Sequence, residues 1–235
     1  MKKFAEDFML GAATAAHQVE GNNIYNDYWA QEQVPHTMFN EPSLDAVDHY
    51  NRYEEDIRLM AEAGLNSYRF SIEWSRIQPE KDAWNEEEVE HYRKVLQCCH
   101  DNGIRPVVTM MHFSSPKWLI SMGGWENPEV VDLFAVFCRR LVTELGGQME
   151  YVCTINEANM RLQLASLMKD MMKRMAGMKE AAPENGKEGA GDSESQVQVG
   201  INLNKENMMR GMRECAQAFG LEKPMDMHTI VSQCT

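Results

Sequence analysis

The sequence predicts an α/β fold built from successive βα units, four to five of them, and three observations carry that expectation. Over the first 160 residues strand-like and helix-like segments alternate, which is the signature of βα units. Strand starts near positions 8, 66, 104 and 150 give a repeat of about 47 residues. Polar and charged side chains stand at or near the C-terminal ends of the proposed strands, where α/β barrels build their sites. Eight such units close a (β/α)8 TIM-type barrel and would need roughly 370 residues at this repeat. A chain of 235 residues is therefore expected to hold a truncated barrel.

The elements follow in order. A run of small apolar residues from Phe8 to Ala16 is the first strand. Tyr50, Ile57, Met60 and Ala61 recur at helical spacing, and Gly64 ends that helix. Residues 66–74 (NSYRFSIEW) alternate, with Tyr68, Phe70 and Ile72 on one face and Ser67, Arg69, Ser71 and Glu73 on the other. Residues 89–100 read as helix closed by Asn102-Gly103, and 104–113 (IRPVVTMMHF) as a mostly apolar strand. Residues 128–145 are helical, stopped by Gly146-Gly147, and 150–155 form a fourth strand ending in Asn156-Glu157. Beyond Ala158 the pattern changes. Leu164, Met168, Met171, Met175 and Met178 make an amphipathic stripe with Lys169, Lys173, Arg174 and Lys179 opposite, read as an outer helix packing inward. The expected division is a barrel portion over 1–180, a polar linker over 181–196 (PENGKEGAGDSES within it), and a residual strand/helix segment and tail over 197–235.

Composition narrows the function. A formal charge of −13 argues against a phosphate-tracking surface, so no nucleic-acid partner is expected. No apolar stretch approaches the ~20 residues that span a bilayer, and Glu6 and Asp7 interrupt what would otherwise resemble a signal peptide. No membrane partner is expected, and the chain reads as cytoplasmic. Six cysteines without a C-x-x-C pair are expected as free thiols in a reducing compartment, mostly core residues. The seven histidines show no metal-ligand spacing, so neither a metal nor a cofactor is expected.

The chemistry-bearing residues lie on successive strand ends: His17-Gln18 after the first, Arg69 on the second, His112 at the third, and Asn156-Glu157 at the fourth. Any one of them alone is common at a strand end; together they suggest a polyol-binding acid/base site. The stretches FMLGAATAAHQVEG, NSYRFSIEWSRIQP, VVTMMHFSSPKWL, GGWENPEVV and CTINEAN resemble, in order and approximate spacing, family 1 glycoside hydrolases over about residues 4–160. The resemblance implies the N-terminal half of a (β/α)8 barrel that hydrolyses β-linked glucosides or related sugars, phosphorylated or not, with retention. It implies Glu157 as general acid/base, Asn156 at the sugar 2-hydroxyl, Gln18 and His112 on the glycone, and Arg69 beside the nucleophile. A carboxyl of raised pKa suits a group that gives and then takes a proton, and an amide suits a hydroxyl whose bond tightens at the transition state.

Three departures stand out. Phe113-Ser114 follow His112 where the family has Trp-Asp, and Ala158 follows Glu157 where it has Pro. The family's nucleophile, in a Glu-Asn-Gly motif, has no counterpart: Glu184-Asn185-Gly186 lies only 27 positions after Glu157, without an apolar strand before it, and reads as a chance match. A retaining enzyme needs a second carboxylate ~5–5.5 Å from the first, so the chain alone is expected to be inactive. Open edges on the first and fourth strands lead to an expectation of self-association or of pairing with a complementary C-terminal half. The alternative is a non-catalytic sugar-binding or protein-interaction half-barrel, dimeric through those edges.

Overall fold

The computed structural model describes residues 4, 5, 7–160, 167 and 210. In chain order these form β1 (Gly11–Ala13), α1 (Ala16–Val19), α2 (Asp27–Glu32), α3 (His49–Glu62), β2 (Ser67–Ser71), α4 (Trp74–Ile77), α5 (Glu86–Asp101), β3 (Arg105–Thr109), α6 (Glu129–Leu145) and β4 (Tyr151–Cys153). Short 3₁₀ turns cover Lys117–Met122, Gly124–Glu126 and Gly146–Gln148. The strands form one parallel sheet in the order β1-β2-β3-β4, with Ala13 opposite Arg69, Arg69 opposite Val107, and Val107 opposite Tyr151. This is an arc of an α/β barrel. The methionine stripe beyond Met160, the linker 181–196 and nearly all of 197–235 lie outside the described residues.

Parallel register puts opposite residues on the same face, and alternation then divides every strand into two sets. One set, Tyr68, Phe70 and Val108, is buried under the helices with Ile57, Tyr92, Leu96, Phe134 and Phe137. The other set, with Ala13, Arg69, Val107 and Tyr151 in one row, lines the inner face of the arc. The face assignment expected for 66–74 therefore holds. Trp74 sits at the centre of the aromatic core, stacked on Phe137 at 5.2 Å and tilted against Phe134 at 5.5 Å. Such ring pairs contribute about 0.5–1.5 kcal/mol each beyond area burial.

Helix ends follow from local chemistry. Asn85 caps α5, its side-chain oxygen accepting from the Glu87 and Glu88 amides, and three glutamates in the first turn suit the positive end of the helix. The helix thus starts three residues before the apolar periodicity does. Both α3 and α5 end in the paired-bond glycine cap. Gly64 and Gly103 take positive φ (83° and 69°), and the residues after them, Leu65 and Ile104, bond back to Met60 and Cys99. Each cap turns the chain directly into the next strand. The expected glycine stop after α6 takes another form, because Gly146 keeps helical φ and the chain tightens into a 3₁₀ turn through Gln148. At β1, a Cβ on Gly11 would meet the Ser67 backbone oxygen at 2.3 Å, so only glycine permits that strand contact.

No helix among the described residues is long and apolar enough to cross a membrane. Cys98 and Cys99 are free thiols, and burial, with Cys98 beside it, pushes the Cys99 thiol up to about 12. That thiol is inert.

Candidate active site

Three of the five expected residues form one hydrogen-bonded chain across the C-terminal end of the sheet. Arg69, from β2, donates from Nε to Thr109 Oγ1 at 3.0 Å and from Nη2 to Asn156 Oδ1 at 2.6 Å. Asn156 Nδ2 faces His112 Nε2 at 3.4 Å. The network fixes the proton positions: Asn156 Oδ1 is occupied by Arg69, so its amide hydrogens face His112, whose Nε2 accepts and whose Nδ1 carries the ring proton. That Nδ1 is buried and has no hydrogen-bond partner among the described residues. Burial, reinforced by the Arg69 charge, lowers the His112 pKa to about 4. The imidazole is neutral at pH 7.

Pairing that outlasts the strands holds these groups in place. Met110 N–H donates to Cys153 C=O and Asn156 N–H to Met111 C=O, both at 2.9 Å, so β3 and β4 stay in register up to the site. Glu157 follows at once, exposed, with a positive φ of 47°. A non-glycine residue there is uncommon, and such backbone clusters at functional sites. The left-handed step turns the chain off the sheet and sets Glu157 beside Asn156 at the mouth of the arc.

Gln18 stands apart. It is exposed on α1, after β1, and among the described residues no hydrogen bond joins it to the Arg69–Asn156–His112 chain. Its neighbours are fixed on both sides. His17 Nδ1 lies 2.8 Å from Asn26 Nδ2, and His17 Nε2 lies 2.8 Å from Glu32 Oε1. Asn26 Oδ1 already accepts from the Trp29 amide, so Asn26 donates to Nδ1, and the His17 proton sits on Nε2 facing Glu32. Glu32 Oε2 accepts from both the amide and the hydroxyl of Ser43. On the other side Glu20, 5% exposed, pairs with Arg76 Nε at 2.9 Å and accepts from Tyr92 at 2.7 Å. Arg76 also donates to Gly21 C=O at 2.6 Å and lies 4.3 Å over the Tyr50 ring. Burial raises the Glu20 pKa above the ordinary carboxylate value, against the pull of Arg76 and Tyr92.

The sequence singled out Arg69, His112 and Asn156 but not Thr109, the second acceptor for Arg69, nor the Glu20–Arg76 pair. Thr109 was findable in principle, as a polar residue ending an apolar strand; the pair joins positions 56 apart, which no local pattern links.

An α/β arc with an amide, an imidazole, a guanidinium and a carboxylate at its strand ends defines a class of α/β-barrel protein with a polar site at that end of the sheet. Comparison with known proteins narrows the class. The sequence profile of glycosyl hydrolase family 1 matches residues 1–172. Coniferin β-glucosidase of Pinus contorta is 39% identical over 169 residues, covering 68% of this chain and 33% of that protein. The 6-phospho-β-glucosidase GmuD of Bacillus subtilis is 37% identical over 165 residues, covering 66% and 35%. Among solved structures, a β-glycosidase named BGL167 superposes with a TM-score of 0.76 at 36% identity, covering 94% of this chain and 54% of that one. A Thermotoga maritima β-glucosidase in complex with deoxynojirimycin gives 0.63 at 34% identity, covering 67% and 37%. The chain belongs to glycosyl hydrolase family 1. It spans about a third of the length of the curated relatives it matches.

Proposed function

We propose that this chain carries the acid/base half of a retaining β-glycosidase site acting on β-linked glucosides or their 6-phosphates, with Glu157 as the general acid/base. The observation that carries the reading is the Arg69–Asn156–His112 chain lying directly beside Glu157 at the strand ends. Asn156 uses one amide hydrogen toward His112 and keeps the second for a sugar 2-hydroxyl, whose bond strengthens as positive charge develops on the ring. The half-buried His112 ring and the exposed amide of Gln18 suit glycone hydroxyls. Arg69 adds a fixed positive charge that favours an ionised carboxylate nearby. Glu157 first donates its proton to the leaving oxygen and then takes one from the attacking water. The reading assigns no nucleophile among the described residues and expects the 235-residue chain alone to lack turnover.

Two measurements test this. Deoxynojirimycin, bound by the Thermotoga relative, should perturb the His112 imidazole resonances saturably, and Asn156→Ala should weaken that binding at least ~10-fold, the loss of one good polar contact. No perturbation at millimolar ligand would refute the sugar-site reading. A dinitrophenyl β-glucoside, whose leaving group scarcely needs an acid, should be hydrolysed no faster than in buffer. Turnover would show that a carboxylate within these 235 residues acts as the nucleophile.

A further inference from the structure

The loop after β3 turns sharply at Phe113, which has a positive φ of 66°, while the Ser114 N–H bonds back to the His112 C=O at 2.8 Å. A three-residue turn of this hand is rare and strained, and it persists only where its surroundings hold it. Ser115 is held toward the β1 side by exchanging backbone and carboxylate bonds with Asp27 at 2.8 Å. Ser114 is held toward β2, its hydroxyl donating to Glu73 Oε2 at 2.9 Å. Glu73 is 3% exposed, and its other oxygen accepts from the Ser75 hydroxyl at 2.8 Å and the Ser75 amide at 3.3 Å. Its own N–H donates to Tyr92 at 3.0 Å. A carboxylate presents two acceptor oxygens at fixed angles, so it can take both serine hydroxyls at once without giving up either.

We propose that Glu73 is a positioning residue: through Ser114 it holds the strained Phe113 turn and so aims the His112 imidazole at Asn156. The role rests on the reading of His112 as a sugar-contacting group, but the geometry stands or falls without any sugar. Ser75 supplies a matched control, because its hydroxyl bond to Glu73 is of similar length, 2.8 against 2.9 Å, and also buried, yet does not lead to His112.

The test is imidazole NMR on the 235-residue chain, with His112→Asn to assign its signals. Ser114→Ala should raise the His112 pKa from about 4 by about one unit or more toward 6.5 as the loop relaxes and the ring hydrates. Ser75→Ala should leave it unchanged, and Ser114→Thr, which keeps the hydroxyl, should restore it. An unmoved His112 in Ser114→Ala, or an equal shift in both alanine variants, overturns the positioning role. Failure of the chain to bind an iminosugar would remove the functional reading and leave this result intact.

Discussion

Replacing Arg76 by Met tests the buried network that fixes the loop carrying Gln18. Arg76 is 11% exposed at the side chain and Glu20 5%, their atoms 2.9 Å apart, while a second carboxylate, Glu88, lies 3.7 Å away. Methionine fills much of the same volume but leaves Glu20 buried with Tyr92 as its remaining strong donor. Removing one partner of a buried pair costs about 3–5 kcal/mol. For a chain of this length that corresponds to a fall in melting temperature of about 6–20 °C. The pH dependence sharpens the expectation. Burial already raises the Glu20 pKa above 4.5, and loss of Arg76 raises it further. A carboxylate with a raised folded pKa contributes stability that is fully present below its unfolded value and is lost as pH rises through the folded one. The deficit of Arg76→Met against the wild type should therefore be largest at pH 7 and shrink toward pH 4.5, read from urea midpoints at matched pH. A deficit under about 1 kcal/mol at pH 7, or one that does not narrow on acidification, refutes the argument that Arg76 offsets the burial of the Glu20 carboxylate.

Two further outcomes are expected. Burial first, then the Arg76, His49 and Lys94 charges, lowers the His91 pKa to about 4, and burial with Arg69 does the same to His112. Both rings bind protons more weakly when folded, so their contribution is present above pH 6.5 and lost as pH falls toward 4. Urea midpoints should drop across that window, and His91→Phe, which keeps the stack on Tyr50 at 3.9 Å, should flatten the slope. Asn85→Ala should cost about 1 kcal/mol by removing the α5 cap, a fall of about 2–4 °C by calorimetry; no measurable change would mean that the three first-turn glutamates suffice.

The parts of the fold that sequence revealed are those with periodic burial. β2 and β3 showed because Tyr68, Phe70 and Val108 must face the helices, and α3, α5 and α6 because their buried residues recur every three or four positions. β1 was located only within a broader run, since Gly-Ala-Ala has too little side chain to alternate. The α2 helix and the 3₁₀ turn at Lys117–Met122 are too short to show a burial period, and their placement depends on contacts such as Asp27 with Ser115 that join positions 88 apart. The site followed the same rule. Arg69, His112 and Asn156 were visible as polar residues at strand ends, but the bonds that hold them, Arg69 to Thr109 and Ser114 to Glu73, depend on strand register. That information is non-local, so a motif records the residues without their connections.

The sheet order has a consequence for how the protein is made. Each strand pairs with the one synthesised just before it, at separations of 56, 38 and 44 residues between Gly11 and Ser67, Ser67 and Arg105, and Val107 and Tyr151. Among the described residues no strand waits for a distant partner, and none has to be inserted between two already joined. A nascent chain can add its βα units one at a time as they leave the ribosome, each new strand docking on the edge its predecessor presents. The growing edge is then always the most recently made strand, and the interval during which it stands bare is the time needed to synthesise about one more unit.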